Sequence, residues 1–381
     1  MLKCLLITNG RKESEKEFNS IEDLTIGNYY IPCVEAALGL NYEVYVGLNK
    51  RKANSIKCSN YPVNFRYLGI YRNIYDIRSI YKAYKNLALF LKENKVDMLH
   101  CNSPIGGLLG RLSAKIYRVN KVIYTAHGFH FYKGAPLINR VLFYWIEKFL
   151  AYYTDVIITI NNEDYLAALK LNKKWIVRKV HGVGIDKIDL TQLKLTKENI
   201  GLTNDDIIII SVGDLNKNKN NILIIEAMAH MKIKVHYCIC GEGSEQKKLR
   251  ELVKKYNLIE YVHFLGYRED INELLNISDI FVMPSIREGL SRSLMEAMSL
   301  GLPCVVSKIR GNTDLIKNNE GGFLYESKDF LGFANALDKL SINKSLRLKF
   351  GEFNKQEIKP YYLDNVKIEI NNIYKEIHSL R

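Results

Sequence analysis

The sequence predicts an α/β protein built from two doubly wound halves, each with a parallel sheet, facing each other across a cleft. Three observations carry this. Short apolar runs rich in β-branched residues alternate with longer helical patterns along almost the whole chain. The runs are apolar at successive positions, as strands are when helices cover both faces of a parallel sheet. The rhythm weakens once, near 181–204, and then restarts; a chain of 381 residues suits two domains.

In the first half the expected strands are 2–8, 43–47, 64–68, 97–101, 122–126 and 155–160. The first ends toward a turn at Gly10, and helical patterns occupy 74–93, 105–117 and 138–153 between strands. The stretch 141–160 is apolar but interrupted by Glu147, Lys148 and Asp155, which makes it a poor membrane span. In the second half strands are expected at 206–212, 235–240, 262–265, 280–283 and 304–306, and helices at 221–231, 245–256, 293–300 and 330–340. A last helical pattern covers 366–377. The domains are therefore placed at 1–182 and 183–360, with a terminal helix in 361–381. Doubly wound sheets bind ligands at the carboxyl ends of their strands, so the unusual residues should collect there.

Composition narrows the function. Apolar residues at 47% and charged residues at 25% describe a globular protein, neither disordered nor polytopic. The seven cysteines are scattered, with no C-x-x-C pair, so reduced and mostly buried thiols are expected. A net charge of +14 calls for an anionic partner: a phosphorylated ligand, an anionic membrane surface or a nucleic acid. Between Arg66 and Lys95 seven basic residues outnumber two acidic ones, with Tyr67, Tyr71, Tyr75, Tyr81 and Tyr84 interleaved. That pattern suits a bilayer or a nucleic acid, and equally a solvated helix whose Tyr and Leu residues pack on the sheet.

The most informative segment runs Pro284-Ser285-Ile286-Arg287-Glu288-Gly289-Leu290-Ser291-Arg292-Ser293-Leu294-Met295-Glu296-Ala297-Met298, followed by Gly301-Leu302-Pro303. It reads strand, loop, helix, Gly stop, strand. The unpaired N–H groups opening the helix suit a phosphate, Arg287 and Arg292 add charge, and carboxylates on either side can accept hydrogen bonds from sugar hydroxyls. Two plainer readings stand beside this: Ser293-x-x-Glu296 as a capping box, and Glu288 as a solvated loop acid. Earlier, Val212-Gly213-Asp214-Leu215-Asn216-Lys217-Asn218-Lys219 leaves a strand and opens a helix, a Gly turn with lysines that is either an anion site or a solvated loop. In the first half, Thr125-Ala126-His127-Gly128-Phe129-His130 puts His127 at a strand end, with Lys133 after it. Cys101-Asn102-Ser103-Pro104-Ile105-Gly106 is a second strand-to-helix corner, where Ser103 and Gly106 either cap the helix and free N–H groups for an acceptor phosphate or form an ordinary turn.

These motifs together resemble retaining glycosyltransferase family 4, of the GT-B fold. The match runs through Phe264-Leu265-Gly266-Tyr267, the Glu288-x7-Glu296 segment and Gly321-Gly322-Phe323, and the Thr-Ala-His-Gly-Phe-His run resembles the branch that builds bacterial capsule, exopolysaccharide and O-antigen. The resemblance implies transfer of a sugar from a nucleotide diphosphate, UDP foremost, to a polyprenyl-diphosphate-linked sugar, with no metal and no cofactor beyond the donor. It implies Glu288 on the donor sugar, Glu296 on the ribose, Gly266 and Tyr267 at the base, and Gly213, Gly289, Leu290, Ser291 and Arg292 around the donor. Lys219 would meet the pyrophosphate and His127 would lie beside the donor sugar. Ser103, Gly106, His130 and Lys133 are assigned to the acceptor. Asp214 stands where the family usually has Arg, and a carboxylate there cannot neutralise phosphate; Lys217, Arg287 and Arg292 are the candidates to compensate. A cytoplasmic protein at the inner face of the cell membrane is implied, with the terminal helix returning to the first domain and no nucleic-acid partner. Two rivals stay open: a GT-B-like UDP-sugar epimerase or hydrolase, which needs no acceptor, and a non-catalytic basic protein binding nucleic acid or membrane.

Overall fold

A computed structural model describes residues 1–8, 23–24, 30–49, 57–58, 60–71, 73, 76–171 and 176–379. Gly10 and Tyr75, named above, and Arg72 and Ile74, within the ranges given there, lie outside the described residues. The chain divides into two compact units, Met1–Gly184 with Leu363–Arg381, and Ile185–Tyr362.

In the first unit the elements are β1 (Leu2–Ile7), α1 (Ile31–Gly39), β2 (Tyr42–Leu48), β3 (Val63–Tyr67), α2 (Ile77–Glu93), β4 (Met98–Asn102), α3 (Pro104–Ile116), β5 (Lys121–Ala126), α4 (Leu137–Ala151), β6 (Val156–Thr159), α5 (Asn162–Leu171) and β7 (Ile176–Lys179). The seven strands form one parallel sheet in the order β3-β2-β1-β4-β5-β6-β7. Alternation along β1 shows why the runs are apolar throughout. Leu5 and Ile7 enter a core with Leu87 and Leu91 of α2 and Ile105 and Leu109 of α3, while Cys4 and Leu6 are equally buried on the opposite face.

In the second unit the elements are β8 (Ile208–Val212), α6 (Ile222–Met228), β9 (His236–Cys240), α7 (Gln246–Lys255), β10 (Val262–Gly266), α8 (Ile271–Asn276), β11 (Ile280–Met283), α9 (Arg292–Ser299), β12 (Cys304–Ser307), α10 (Asn312–Leu315), β13 (Gly322–Tyr325), α11 (Phe330–Ile342) and α12 (Lys344–Glu357). The six strands run parallel in the order β10-β9-β8-β11-β12-β13. Ile209, Val282 and Val305 pack under α6 and α11; Ile210, Phe281, Met283 and Val306 pack under α9.

The two sheets thus share one strand order, counted within each unit as 3-2-1-4-5-6, with β7 added at the edge of the first. The order reverses between β1 and β4 in one unit and between β8 and β11 in the other. At such a point the loops leaving neighbouring strands diverge to opposite faces and open a crevice. The final helix, α13 (Leu363–Ser379), belongs to the first unit and buries Val366, Ile370, Ile373, Tyr374 and Ile377. It lies along α1 and is fastened by polar contacts: Tyr374 to His100 at 2.7 Å, His378 to Tyr42 at 3.0 Å, and Lys367 to Glu35 at 2.9 Å. Six of the cysteines are buried and all seven are free thiols.

Candidate functional site

In the second unit the switch point is lined by the carboxyl ends of β8 and β11. A small pocket there is walled by Val212, Gly213, Lys219, Met283, Pro284 and Ser285. Leaving β8, the chain turns through Gly213 at φ +146°, a conformation that favours glycine, and a Cβ there would stand 2.9 Å from Cε of Lys219. The lysine stem therefore lies across the bare glycine. Its Nζ reaches Glu288 Oε1 at 2.9 Å although 69 residues separate the two. Both side chains are mostly covered, at 22% and 15% exposure.

The neighbouring loops are held by their backbones. Gly213 N–H donates to Cys240 O, and Gly241 N–H donates to Gly266 O at 2.7 Å. A Cβ on Gly241, at φ +137°, would fall 2.0 Å from Gly213 O, so the loops after β8 and β9 can approach this closely only with glycine between them. Where β10 meets β9 the register slips by one residue, pairing Cys240 with Gly266 and bulging at Leu265. That bulge ends the strand at Gly266, with Tyr267 standing 73% exposed beside it.

The loop from Pro284 to Ser291 is tied to the loop after β8. Ile286 N–H donates to Asn218 O at 2.8 Å, Asn218 Nδ2 to Arg287 O at 2.9 Å, and Asn220 Nδ2 to Pro284 O at 3.1 Å. Ser293 in the first turn of α9 donates to Val212 O at 3.3 Å, drawing the helix start onto the end of β8. Structure thus brings Gly213, Lys219, Glu288, Gly289, Leu290, Ser291, Arg292 and Glu296 to one edge of one sheet, with Gly266 and Tyr267 two strands away on the same edge. The first N–H groups of α9 have no acceptor within the helix and carry partial positive charge. Ser285 Oγ, in the pocket wall, is fully buried and makes no hydrogen bond.

One sequence reading is corrected here. Ser293 and Glu296 form no capping box, because the helix begins at Arg292 with Ser291 in the N-cap position and no side-chain cap. Glu296 instead accepts from Arg292 Nε at 2.7 Å, and that guanidinium also lies 3.8 Å from Asp186. Arg292 is thereby shared between two carboxylates and is a weak substitute for the charge that Asp214 lacks. Lys217 lines a different pocket, of about 200 Å³, with Asn216, Glu245 and Lys248. Arg310, which spacing did not single out, is only 9% exposed and donates to Glu288 O at 3.2 Å. It follows β12 and precedes Gly311, whose Cβ would lie 2.2 Å from Gly289 O; a Gly just past a strand end was the available signal.

In the first unit His127 directly follows β5 and its Nε2 lies 3.2 Å from Asn102 Oδ1 at the end of β4. Burial lowers its pKa to about 4, so the imidazole is neutral near pH 7. Ser103 occupies the N-cap position of α3, but at φ +67° its hydroxyl turns back to the Asn102 carbonyl instead of capping the helix. The first turn of α3 therefore keeps its N–H groups uncapped by Ser103. A Cβ on Gly106 would stand 3.1 Å from Ser103 Oγ, so the corner is tight. The His130 ring packs 4.9 Å from Phe143 of α4. Lys133 is exposed, and its backbone N–H is held by Glu163 at 2.6 Å.

Comparison with known proteins agrees with this arrangement. Residues 194–357 match the family described as Glycosyl transferases group 1, and residues 27–161 match Glycosyl transferase 4-like. EpsD of Bacillus subtilis (strain 168), provisionally named a glycosyltransferase, is 33% identical over 335 residues, covering 85% of this chain and 86% of EpsD. The UDP-Gal:alpha-D-GlcNAc-diphosphoundecaprenol alpha-1,3-galactosyltransferase of Escherichia coli is 33% identical over 287 residues, covering 72% of this chain and 73% of that protein. Sucrose-phosphate synthase from Thermosynechococcus elongatus superimposes with a TM-score of 0.78 over 100% of both chains at 17% identity, a likeness of fold. The fold is GT-B.

Proposed function

The chain belongs to glycosyltransferase family 4, and within it we propose a retaining enzyme that moves a hexosyl or N-acetylhexosaminyl group from a UDP-sugar to a polyprenyl-diphosphate-linked sugar in bacterial surface polysaccharide synthesis. The observation that carries this reading is the Lys219–Glu288 pair at the switch point of the second unit, beside the uncapped start of α9. A diphosphate needs fixed positive charge, and sugar hydroxyls need a carboxylate acceptor; this corner holds both. The name of the E. coli relative supports the UDP donor and the lipid-diphosphate acceptor.

In this mechanism the diphosphate sits against the first turn of α9 and takes Lys219, releasing Glu288 to orient the donor sugar. Glu296 holds the ribose, and Gly266 and Tyr267 border the base. As the glycosidic bond breaks, charge grows on the leaving phosphate, where Lys219 and the helix N–H groups already point; such preorganised dipoles stabilise it without rearrangement. The departing phosphate accepts the acceptor hydroxyl's proton on the same face of the sugar, so configuration is kept without a carboxylate nucleophile. His127, neutral at pH 7, donates or accepts one hydrogen bond to a sugar hydroxyl. Ser103, Gly106, His130 and Lys133 serve the acceptor.

The test is a panel of nucleotide sugars offered with a polyprenyl-diphosphate sugar and read by mass spectrometry. The expected product is the acceptor extended by one sugar, with the donor's anomeric configuration in the product's proton NMR couplings. Turnover of UDP-sugar at full rate without acceptor would instead establish an epimerase or hydrolase.

A further inference from the structure

Helix α4 has the sequence LINRVLFYWIEKFLA, apolar nearly all the way round. Such a helix is normally buried on every side. Here only Glu147, Leu150 and Ala151 are buried. The last turn is anchored by Glu147, which accepts from Arg111 at 2.8 Å, a guanidinium fully enclosed and stacked 3.8 Å over Tyr124. In the preceding turns Tyr144 packs against the core, and the opposite flank faces away from it. Ile138 is 76% exposed, Val141 59%, Leu142 52%, Trp145 59% and Phe149 54%. Their spacing of three and four residues gathers them into one stripe. A contiguous apolar stripe of this kind on a soluble unit marks an interaction surface.

We propose that α4 lies flat in the surface of an anionic lipid bilayer and is the element by which the chain docks on the membrane. Charge identifies the occupant. The only charged side chains of α4 besides the buried Glu147 are Arg140 and Lys148, both cationic, and Lys148 rests 4.7 Å over the Trp145 ring. Lys148 borders the stripe, while Arg140 lies on the opposite flank with Glu147 and Ala151. An apolar stripe with a tryptophan, a bordering lysine and no acidic residue is the pattern of helices that seat at the lipid headgroup boundary. A second copy would pair this stripe with itself and bring Lys148 against its own likeness, on a chain of net charge +14. Fifteen helical residues at about 1.5 Å each cover about 22 Å, too short to span a hydrocarbon core. No helix among the described residues is long and apolar enough to cross a membrane.

The placement deepens the reading of the acceptor and rests on it for its biological sense. The segment carrying His127, His130 and Lys133 runs straight into Leu137. His130 packs on Phe143, and the Phe131 ring lies 5.7 Å from Tyr144. His130, assigned to a lipid-linked acceptor, is thus packed on the helix that meets the lipid. The basic α2 turns Leu87, Phe90 and Leu91 into the core, and its exposed apolar residues, Ile77, Tyr81 and Leu89, are fewer than those of α4 and are interrupted by Lys85.

The experiment is flotation of the full chain with vesicles of pure phosphatidylcholine and with vesicles holding phosphatidylglycerol, with no nucleotide or acceptor present. The wild type is expected to float with the anionic vesicles only. Trp145→Ser with Phe149→Ser should lower partitioning at least ten-fold while circular dichroism and the melting temperature stay unchanged, since both side chains are exposed. Lys148→Gln should lower it roughly five-fold at low salt, the worth of one cation near an anionic surface. Charge removal at Arg78, Lys82 and Lys85 of α2 should change it less than three-fold. Failure of the wild type to float, equal flotation of the Trp145/Phe149 variant, or a dimer in solution that this variant dissolves would each overturn the proposal. Transfer to a water-soluble acceptor reports separately on the enzymatic reading: that activity surviving while flotation fails refutes only the docking surface.

Discussion

Replacing Glu288 by Gln should tighten UDP binding while slowing transfer. The Lys219 ammonium is paired with the Glu288 carboxylate at 2.9 Å. An incoming diphosphate must compete for that ammonium. The gross attraction at this separation is about 6 kcal/mol for an effective dielectric near 20. Desolvation and residual exposure remove most of it. Exposed pairs retain about 0.2–1 kcal/mol, whereas breaking a buried pair costs about 3–5 kcal/mol. A pair exposed by 22% and 15% falls between, near 1–2 kcal/mol. Glu288→Gln keeps the shape and removes the competing charge, so UDP should bind about ten-fold tighter. Loss of the charged acceptor for the donor sugar should lower kcat roughly 100-fold. Calorimetric titration with UDP and turnover measured by mass spectrometry give the two numbers independently. Weaker UDP binding by Glu288→Gln would refute the competition between Glu288 and the diphosphate for Lys219.

Lys219→Ala should do the opposite to affinity, weakening UDP binding roughly 10- to 100-fold through loss of a charge-assisted contact and leaving the fold intact; unchanged titration would remove Lys219 from the site. UDP at about 100 times its Kd should raise the melting temperature by roughly 5–10 °C, and no shift at millimolar UDP or related nucleotides would argue against a nucleotide pocket. Gly241→Ala should cost about 2–4 kcal/mol in a urea titration, because its Cβ meets the Gly213 carbonyl at 2.0 Å and backbone cannot retreat. Stability should also fall with acid. His100 is fully buried between Thr125 and Tyr374, and burial holds its pKa at about 3, well below its ordinary 6.5. The unfolded chain therefore binds more protons than the native one between those values, so stability present above pH 6.5 drains away as the pH falls. The loss from pH 7 to 4.5 is roughly 3 kcal/mol from this residue. His100→Gln should flatten that slope; an unaltered slope would assign the acid sensitivity elsewhere.

The strands that the sequence revealed most sharply are those buried on both faces. Ile280–Met283 is apolar at every position and stopped by Pro284, and it spans the same residues in the structure. The edge strand Ile176–Lys179 was not anticipated, because only Val177 is buried and its remaining side chains are half polar. Ile31–Gly39 and Lys344–Glu357 were missed as helices, the first for its early Pro32 and the second for its polar surface. In the candidate site, residues adjacent in sequence were legible. The Lys219–Glu288 contact was not, since it depends on β8 and β11 being neighbours in the sheet. Arg310 belonged to no motif. Helix α4 read correctly as a helix, but composition alone could not show that an all-apolar segment would keep one flank outside.

The return of α13 to the first unit has a bearing on how the chain is made. The helix that covers α1 and bonds to His100, Tyr42 and Glu35 leaves the ribosome only after the whole second unit. At about 5–20 residues per second, translating the intervening second unit takes roughly 10–40 s. For that interval the amino-terminal half lacks its closing piece and carries a bare apolar flank at Cys33, Val34 and Ala37. The second unit, continuous from Ile185 to Tyr362, has no such wait. Synthesis order and completion order are therefore inverted: proteolysis of nascent chains halted before residue 363 should cut the first half and spare the second.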